Sequence, residues 1–191
     1  MTPCKLDKMD NIQLTHPFWN FSLEVYSKKG VSDACITLQE KCGVDVNILL
    51  FCCWAASVGH PVLSKDEVTL LCKSVADWNY DIVQKLRHVR KSLKIKNYEC
   101  NEEEARHLQK LVLDVELTAE QIEQFKLMRT ITVLEDDSVS QMQRINNALE
   151  NISLYFSSPK ISTPRHNSEL FNLLRGVFPK ASKTDIKLAL K

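Results

Sequence analysis

The sequence predicts an all-α protein, an orthogonal or irregular bundle of helices with a helical C-terminal extension. Its 191 residues include only four glycines and six prolines, and neither residue type occurs between Val62 and Ser158. This stretch is rich in leucine, glutamate, lysine and glutamine, and it favours helices because the two residues that break them are missing. Hydrophobic residues make up 44% of the chain, which is enough to build a sizeable core.

Helix start and stop signals divide the first hundred residues. Gly30 and Gly43 suit helix ends, whereas Asp45 and Asn79 suit N-terminal caps. Residues Ser64 to Glu67 have the pattern of a capping box. The predicted helices cover residues 18–27, 32–42, 46–58, 65–78 and 79–96. The third of these is apolar on nearly every side, so we expect it to be the central and most buried helix.

The second half of the chain contains one long helical segment and a less regular end. Capping-box patterns begin at Asn101 and Thr118, and the second predicts a break or kink inside the long segment. The β-branched run from Thr130 to Leu134 is the single candidate strand. An apolar seam with spacings of three and four residues follows, formed by Met142, Ile145, Leu149, Ile152 and Phe156. We expect this seam to fold back on the bundle or to bind a partner, including a second copy of the chain.

These elements predict five segments. They are a disordered or extended N-terminus (1–15), a helical bundle domain (16–127), a helical extension (128–156), a linker (157–168) and a short helical tail (169–191). The linker is assigned because serine, threonine and proline are concentrated in it.

Composition argues against several classes of protein. The net charge is +1 and no run of 18 apolar residues occurs, so we expect no transmembrane helix and no membrane partner. The N-terminus lacks the apolar segment of a secretory signal, and the seven cysteines include no C-x-x-C pair. Both features predict a cytoplasmic protein with reduced thiols.

No catalytic, metal or cofactor motif is present in the sequence. The histidines form no H-E-x-x-H pattern, and the cysteines lack the paired spacing of a zinc site. No glycine-rich phosphate loop and no G-x-S-x-G elbow occurs either. We therefore predict no cofactor, no metal ion and no catalytic residue. This absence favours a non-enzymatic interaction or regulatory protein that binds another protein or itself.

Charge changes sign between two neighbouring segments. Residues 79–96 carry six basic side chains against one acidic one, whereas residues 99–123 carry eight acidic side chains against two basic ones. Two adjacent helices of opposite sign would pair within one molecule. The alternative is nucleic acid or another polyanion. The anion-binding residues would then be Arg87, Arg90, Lys91 and Lys94.

Arg90 stands apart within the basic helix. At about 100° per residue it lies near the apolar face, whereas Arg87, Lys91 and Lys94 are expected to point outward. A buried arginine needs a carboxylate partner. The candidate partners are Glu24, Asp45 and Asp77. The alternative is an enzyme or small-ligand binder with Arg90 at the floor of a pocket between aromatic residues.

Three strings of residues form a distinctive pattern. They are Phe18-Trp19-Asn20-Phe21-Ser22-Leu23 with Tyr26, Asp45-Val46-Asn47-Ile48-Leu49-Leu50-Phe51-Cys52 with Trp54, and Leu86-Arg87 with Val89-Arg90-Lys91 and Leu93-Lys94. This pattern resembles a bacterial family of unknown function, found mostly in proteobacteria, over about residues 16–125. The resemblance implies an all-helical bacterial domain and brings no activity with it.

Overall fold

The computed structural model describes residues 16–95, 101–158, 161 and 167–191. The predicted N-terminal segment, most of the predicted linker, Cys4, Lys96 and Cys100 lie outside these residues. The helices are α1 (Pro17–Tyr26), α2 (Val31–Cys42), α3 (Val46–Ser57), α4 (Lys65–Trp78), α5 (Gln84–Ile95), α6 (Glu102–Thr130), α7 (Gln141–Phe156), α8 (Asn167–Val177) and α9 (Lys183–Ala189). The described residues contain no strand, which confirms the all-α prediction.

Local signals set the ends of the first three helices. His16 Nδ1 accepts a backbone N–H from the first turn of α1. Helix α2 lies between Gly30 and Gly43, whose positive φ angles of 81° and 72° are unfavourable for residues with a side chain. At the start of α3 the Asp45 carboxylate accepts the Asn47 N–H at 2.8 Å. This cap confirms the predicted start and fixes the position of Asp45.

Helices α4 and α5 are joined without a break by a π-helical turn. The predicted capping box at Ser64 and Glu67 starts α4. Helix α4 ends at Trp78 as predicted. The predicted cap at Asn79 is wrong, because residues Asn79–Val83 form a π-helical turn that leads directly into α5. In a π-helical turn each backbone hydrogen bond spans five residues instead of four, as the Gln84 N–H does in bonding the Asn79 carbonyl, and such turns are frequent at functional sites. The Asn79 side chain points toward buried carboxylates instead of capping a helix.

Helix α6 runs without interruption over 29 residues. Asn101 caps it as predicted, by accepting the Glu103 N–H at 2.8 Å. The predicted break at Thr118 is wrong, since the Thr118 hydroxyl donates to the Asp114 carbonyl within the same helix at 2.9 Å. A threonine bonded in this way is compatible with a helix interior. The candidate strand after Thr130 is also wrong, because the chain there is irregular.

One hydrophobic core joins α1–α4 with α7–α9. Helix α3 is its centre, with ten of its twelve residues buried, as expected from a helix that is apolar on all sides. Helix α7 packs along α3. Ile145 and Ile152 of the predicted seam are buried in this contact, Leu149 and Phe156 are half-buried, and Met142 is exposed. The seam therefore folds back on the bundle.

The two C-terminal helices belong to the same core. Leu173, Leu174 and Ile186 are fully buried in it. Helix α8 approaches α2 so closely at Gly176 that an added Cβ would lie 2.5 Å from Val31 Cγ2. The segments predicted as an extension and a tail thus pack on the bundle.

No helix within residues 16–95, 101–158 and 167–191 is long and apolar enough to cross a membrane.

Candidate functional site

A cleft of about 360 Å³ opens between α1, α2, α5 and α6 and reaches the start of α3. Its apolar wall consists of Trp19, Leu23, Tyr26, Ile36, Leu113 and Leu117. Apart from Trp19, which is half-buried, these side chains are between 38% and 52% exposed. Exposed apolar side chains grouped around one cavity are typical of binding surfaces.

Two arginines of α5 and two glutamates of α6 form the floor of the cleft. Arg87 donates through Nε to Glu116 at 3.2 Å and through Nη2 to Glu120 at 2.6 Å. Its Nη1 donates to Gln39 of α2 at 2.7 Å. Arg90 donates to both Glu116 oxygens, at 2.5 and 3.1 Å. Such bidentate pairs fix the relative positions of the two helices.

The arginine geometry differs from the expectation in two respects. Arg90 pairs with Glu116 instead of Glu24, Asp45 or Asp77. Arg87 does not point outward: its side chain is 18% exposed, against 26% for that of Arg90. The reason is that α5 has no buried residue of its own and packs on α6, so its ion pairs with α6 determine which side of α5 faces inward.

The remaining basic residues of α5 lie nearer the surface. Lys91 pairs with Glu40 at 2.9 Å, and both side chains are about half exposed. Lys94 is exposed and has no ion pair within the described ranges. Three of the four predicted anion-binding side chains are therefore already bound to carboxylates.

A second polar cluster lies behind the floor and is held by amide side chains. Asn79 Nδ2 donates to Asp45 at 2.9 Å and to Glu123 at 3.0 Å. Asn47 Nδ2 donates to the other oxygen of Glu123 at 2.9 Å. Gln124 then donates to Asn47 at 2.8 Å, and Ser22 of α1 donates to Gln124 at 3.1 Å. The π-helical turn is what directs Asn79 between the two carboxylates.

Burial and like charge perturb the acidic residues of both clusters. Burial, followed by the charge of Asp45, raises the pKa of Glu123 to about 9. Burial also raises the pKa of Asp45, despite its hydrogen bonds. The pKa of Glu120 is raised by burial and by the charges of Glu116 and Asp45, against the opposing effect of Arg87. The raised pKa keeps a proton on Glu123 at neutral pH, beside the Asp45 carboxylate.

A family described as a protein of unknown function, DUF2390, matches residues 17–127. The chain belongs to this family. The DUF2390 segment runs from α1 to near the end of α6 and contains every residue that lines the cleft. Helices α7–α9 lie beyond the matched residues. No curated protein and no solved structure matches the chain.

The sequence pointed to Asp45, but it did not point to the glutamates of α6 or to the role of the amide residues of the site. Glu116, Glu120 and Glu123 follow one another at spacings of four and three, which places them on one face of α6. This spacing is the feature of the sequence that could have identified the three glutamates. In the described part of the chain, no group of three or more histidine, cysteine, aspartate or glutamate side chains is arranged to hold a metal ion.

The aromatic residues divide between the core and the cleft. Phe18, Phe51 and Trp54 stack on one another in the core, with ring centroids 5.3 to 5.5 Å apart. Trp19 and Tyr26 line the cleft. Of the aromatic residues singled out from the sequence, these two are therefore available to a ligand there.

Proposed function

We propose that the cleft is a binding site for a small organic molecule. The observation that carries the proposal is an exposed apolar wall above a partly buried ionic floor. Taking arginine and glutamate out of water is unfavourable unless they are well paired, and exposed leucines contribute little to folding. Both features are expected where stability is given up for binding. The cavity volume falls within the range of about 300–1,000 Å³ that is usual for ligand sites.

The geometry gives less support to the other two hypotheses. An interaction protein that binds through the seam of α7 would need Ile145 and Ile152 at the surface, but both are buried against α3. A nucleic-acid site on α5 would need unpaired cations, and Arg87, Arg90 and Lys91 are bound to carboxylates. The third hypothesis was an enzyme or a small-ligand binder, and the cleft supports the ligand-binding part of it.

A fragment screen by ligand-observed NMR on the full chain tests the proposal. The matched variants are Leu117→Asp in the wall and Leu111→Asp on the same helix outside the cleft; the two leucines are 41% and 49% exposed. Fragments that bind the wild type and the Leu111 variant, but not the Leu117 variant, support the cleft. Fragments that lose affinity equally in both variants, or a screen without specific binders, would refute it.

A second candidate function is self-association through the outer face of α6. Leu108, Leu111 and Val115 lie on one stripe at spacings of three and four, and each is about half exposed. In an antiparallel pair of α6 helices related by a twofold axis near Leu111, Leu108 of one copy would face Val115 of the other. Light scattering that gives the mass of two chains for the wild type and of one chain for Leu111→Asp supports this pairing. A wild-type mass of one chain at every concentration refutes it.

We also infer that the protein works in a reducing compartment, namely the bacterial cytoplasm. The five described cysteines are free thiols, four of them buried. Burial raises the pKa of Cys35 to about 12, which keeps that thiol protonated and unreactive. Fractionation of native cells tests the inference, and recovery from an oxidising compartment would contradict it.

A further inference from the structure

We infer that the ligand of this cleft is a compact amine, with an ammonium group directed toward Asp45 and Glu120 and an apolar or aromatic body against the wall. This inference rests on the proposed function, because it assumes that the cleft binds a small molecule. It adds the charge and the shape of that molecule.

The charges that line the cleft do not cancel. Three cations and four carboxylates line it: Arg87, Arg90, Lys91, Glu40, Asp45, Glu116 and Glu120. Each cation lies within 3.2 Å of one of these carboxylates. Asp45 is left over, since no lysine or arginine of the described ranges lies within ion-pair distance of it. A ligand with one positive charge would balance the set.

Hydrogen bonds to Asp45 favour this negative charge and oppose burial, which raises the pKa of Asp45. Its oxygens accept the Asn47 N–H at 2.8 Å and Asn79 Nδ2 at 2.9 Å, which are neutral donors. The neighbouring Glu123 carries a proton and adds no charge. Asp45 also contributes repulsion that raises the pKa of Glu120. Asp45 and Glu120 thus produce a negative potential that an ammonium group would relieve.

Glu120 has an oxygen available for a ligand. Its Oε1 accepts Arg87 Nη2, whereas its Oε2 is neither buried nor hydrogen-bonded to any described residue. An anionic ligand, by contrast, would have to displace Glu116 or Glu120 from the arginines. Breaking such a pair leaves a partly buried charge uncompensated and is strongly unfavourable. The floor therefore discriminates between ligands by charge.

The wall suits an apolar body of modest size. Trp19 and Tyr26 present aromatic surfaces, and Leu113 and Leu117 of α6 complete the lining. Aromatic rings also attract a cation placed over their faces, which adds to the preference for an amine.

Three probes of similar shape and different charge test the inference: 2-phenylethylamine, 2-phenylethanol and phenylacetate. Their dissociation constants are measured by titration calorimetry on the full chain at neutral pH. We expect the amine to bind about tenfold more tightly than the alcohol, as a hydrogen bond to a charged group implies. We expect the carboxylate to bind more weakly than both.

The outcomes separate this inference from the proposed function. Binding of the alcohol or the carboxylate with no preference for the amine would overturn the charge assignment and leave the cleft as a ligand site. Failure of all three probes would count against the proposed function, and the inference would fail with it. The comparison uses the wild-type protein, so it does not depend on the folding of any variant.

A substitution then locates the charge that is recognised. Glu120→Gln keeps the shape of the side chain and is expected to weaken binding of the amine about tenfold, which removes the preference for the amine over the alcohol. Glu104→Gln, at an exposed position of the same helix outside the cleft, is the control and should have no effect. Equal affinity of the amine for wild type and Glu120→Gln, with both proteins folded, would contradict the assignment.

Discussion

Replacing Glu123 by glutamine is expected to remove a pH dependence from the stability of the protein. Glu123 is fully buried, and its carboxyl group lies between Asn47, Asn79 and Asp45. Burial and the charge of Asp45 raise its pKa from an ordinary value of 4.5 to about 9. The folded protein therefore keeps a proton that the unfolded chain releases.

The sign and size of the effect follow from this difference in proton binding. Below the unfolded pKa of 4.5 both states are protonated, and the stability that this group contributes is fully present. It is lost as the pH rises toward the folded pKa of about 9. One proton corresponds to about 1.4 kcal/mol per pH unit, so the loss between about pH 5 and pH 8 is on the order of 4 kcal/mol at most.

Two buried histidines act in the opposite direction over the lower part of this range. Burial lowers the pKa of His16 and of His60, so their contribution to stability rises as the pH increases through the ordinary histidine value of 6.5. These histidines are present in every variant, and the difference between two variants cancels their effect.

Urea unfolding at several pH values between about 5 and 8 measures how steeply the free energy of unfolding changes with pH. The proteins compared are the wild type, Glu123→Gln and the exposed control Glu104→Gln. We expect a free energy of unfolding that falls more steeply with pH in the wild type and the control than in Glu123→Gln. Equal slopes for wild type and Glu123→Gln would refute the assignment of a retained proton to Glu123.

Three other substitutions test the packing around the cleft, each by thermal or urea unfolding. Arg87→Ala should lower the free energy of unfolding by a few kcal/mol, because it leaves Glu120 without a cation. Lys91→Ala, at an exposed pair, should lower it by less than about 1 kcal/mol. Similar losses in the two variants would contradict the geometry of the cleft floor. Gly176→Ala should lower the free energy of unfolding by about 1–3 kcal/mol, because the added methyl group forces α8 away from Val31. An unchanged Tm would contradict that contact. Tyr155→Phe removes the hydroxyl that accepts the Asp45 N–H at 2.7 Å and should cost about 1 kcal/mol; no loss would argue against a link between α7 and the site.

The helical architecture could be predicted because its signals are local. The capping box at Ser64, the cap at Asp45 and the glycines that flank α2 act on neighbouring backbone groups. The burial of α3 followed from apolar residues on all its sides. Such features depend on nearby residues in the chain, so the sequence alone displays them.

The errors arose where a local pattern competes with tertiary contacts. Asn79 has the residue type of a helix cap, but its side chain donates to the Asp45 and Glu123 carboxylates, and a π-helical turn follows Trp78 without a break. Thr118 opens a pattern that resembles a capping box, yet it lies inside a helix whose other residues favour continuation.

The candidate site was harder to predict, because its residues meet through the relative rotation of separate helices. The partner of Arg90 is on α6, and α5 turns its two arginines inward toward that helix. The apolar residues of this basic segment do not all face inward: Leu86 and Leu93 are half-buried, whereas Val89, and Ile82 in the preceding π-helical turn, are exposed. A search for glutamates spaced along one face of α6 would have identified the opposite half of the ion pairs.

The most direct test of the binding cleft is the response of the three tryptophan indole N–H signals in a ¹H–¹⁵N NMR titration with a fragment that binds. Trp19 lines the cleft, Trp54 is in the core, and the Trp78 indole donates to the Ala119 carbonyl at 3.0 Å. We expect a saturable shift of the Trp19 signal, assigned through Trp19→Phe, with the other two signals unchanged. A saturable shift confined to Trp54 or Trp78, or none at all, would contradict the proposal that this cleft binds a small molecule.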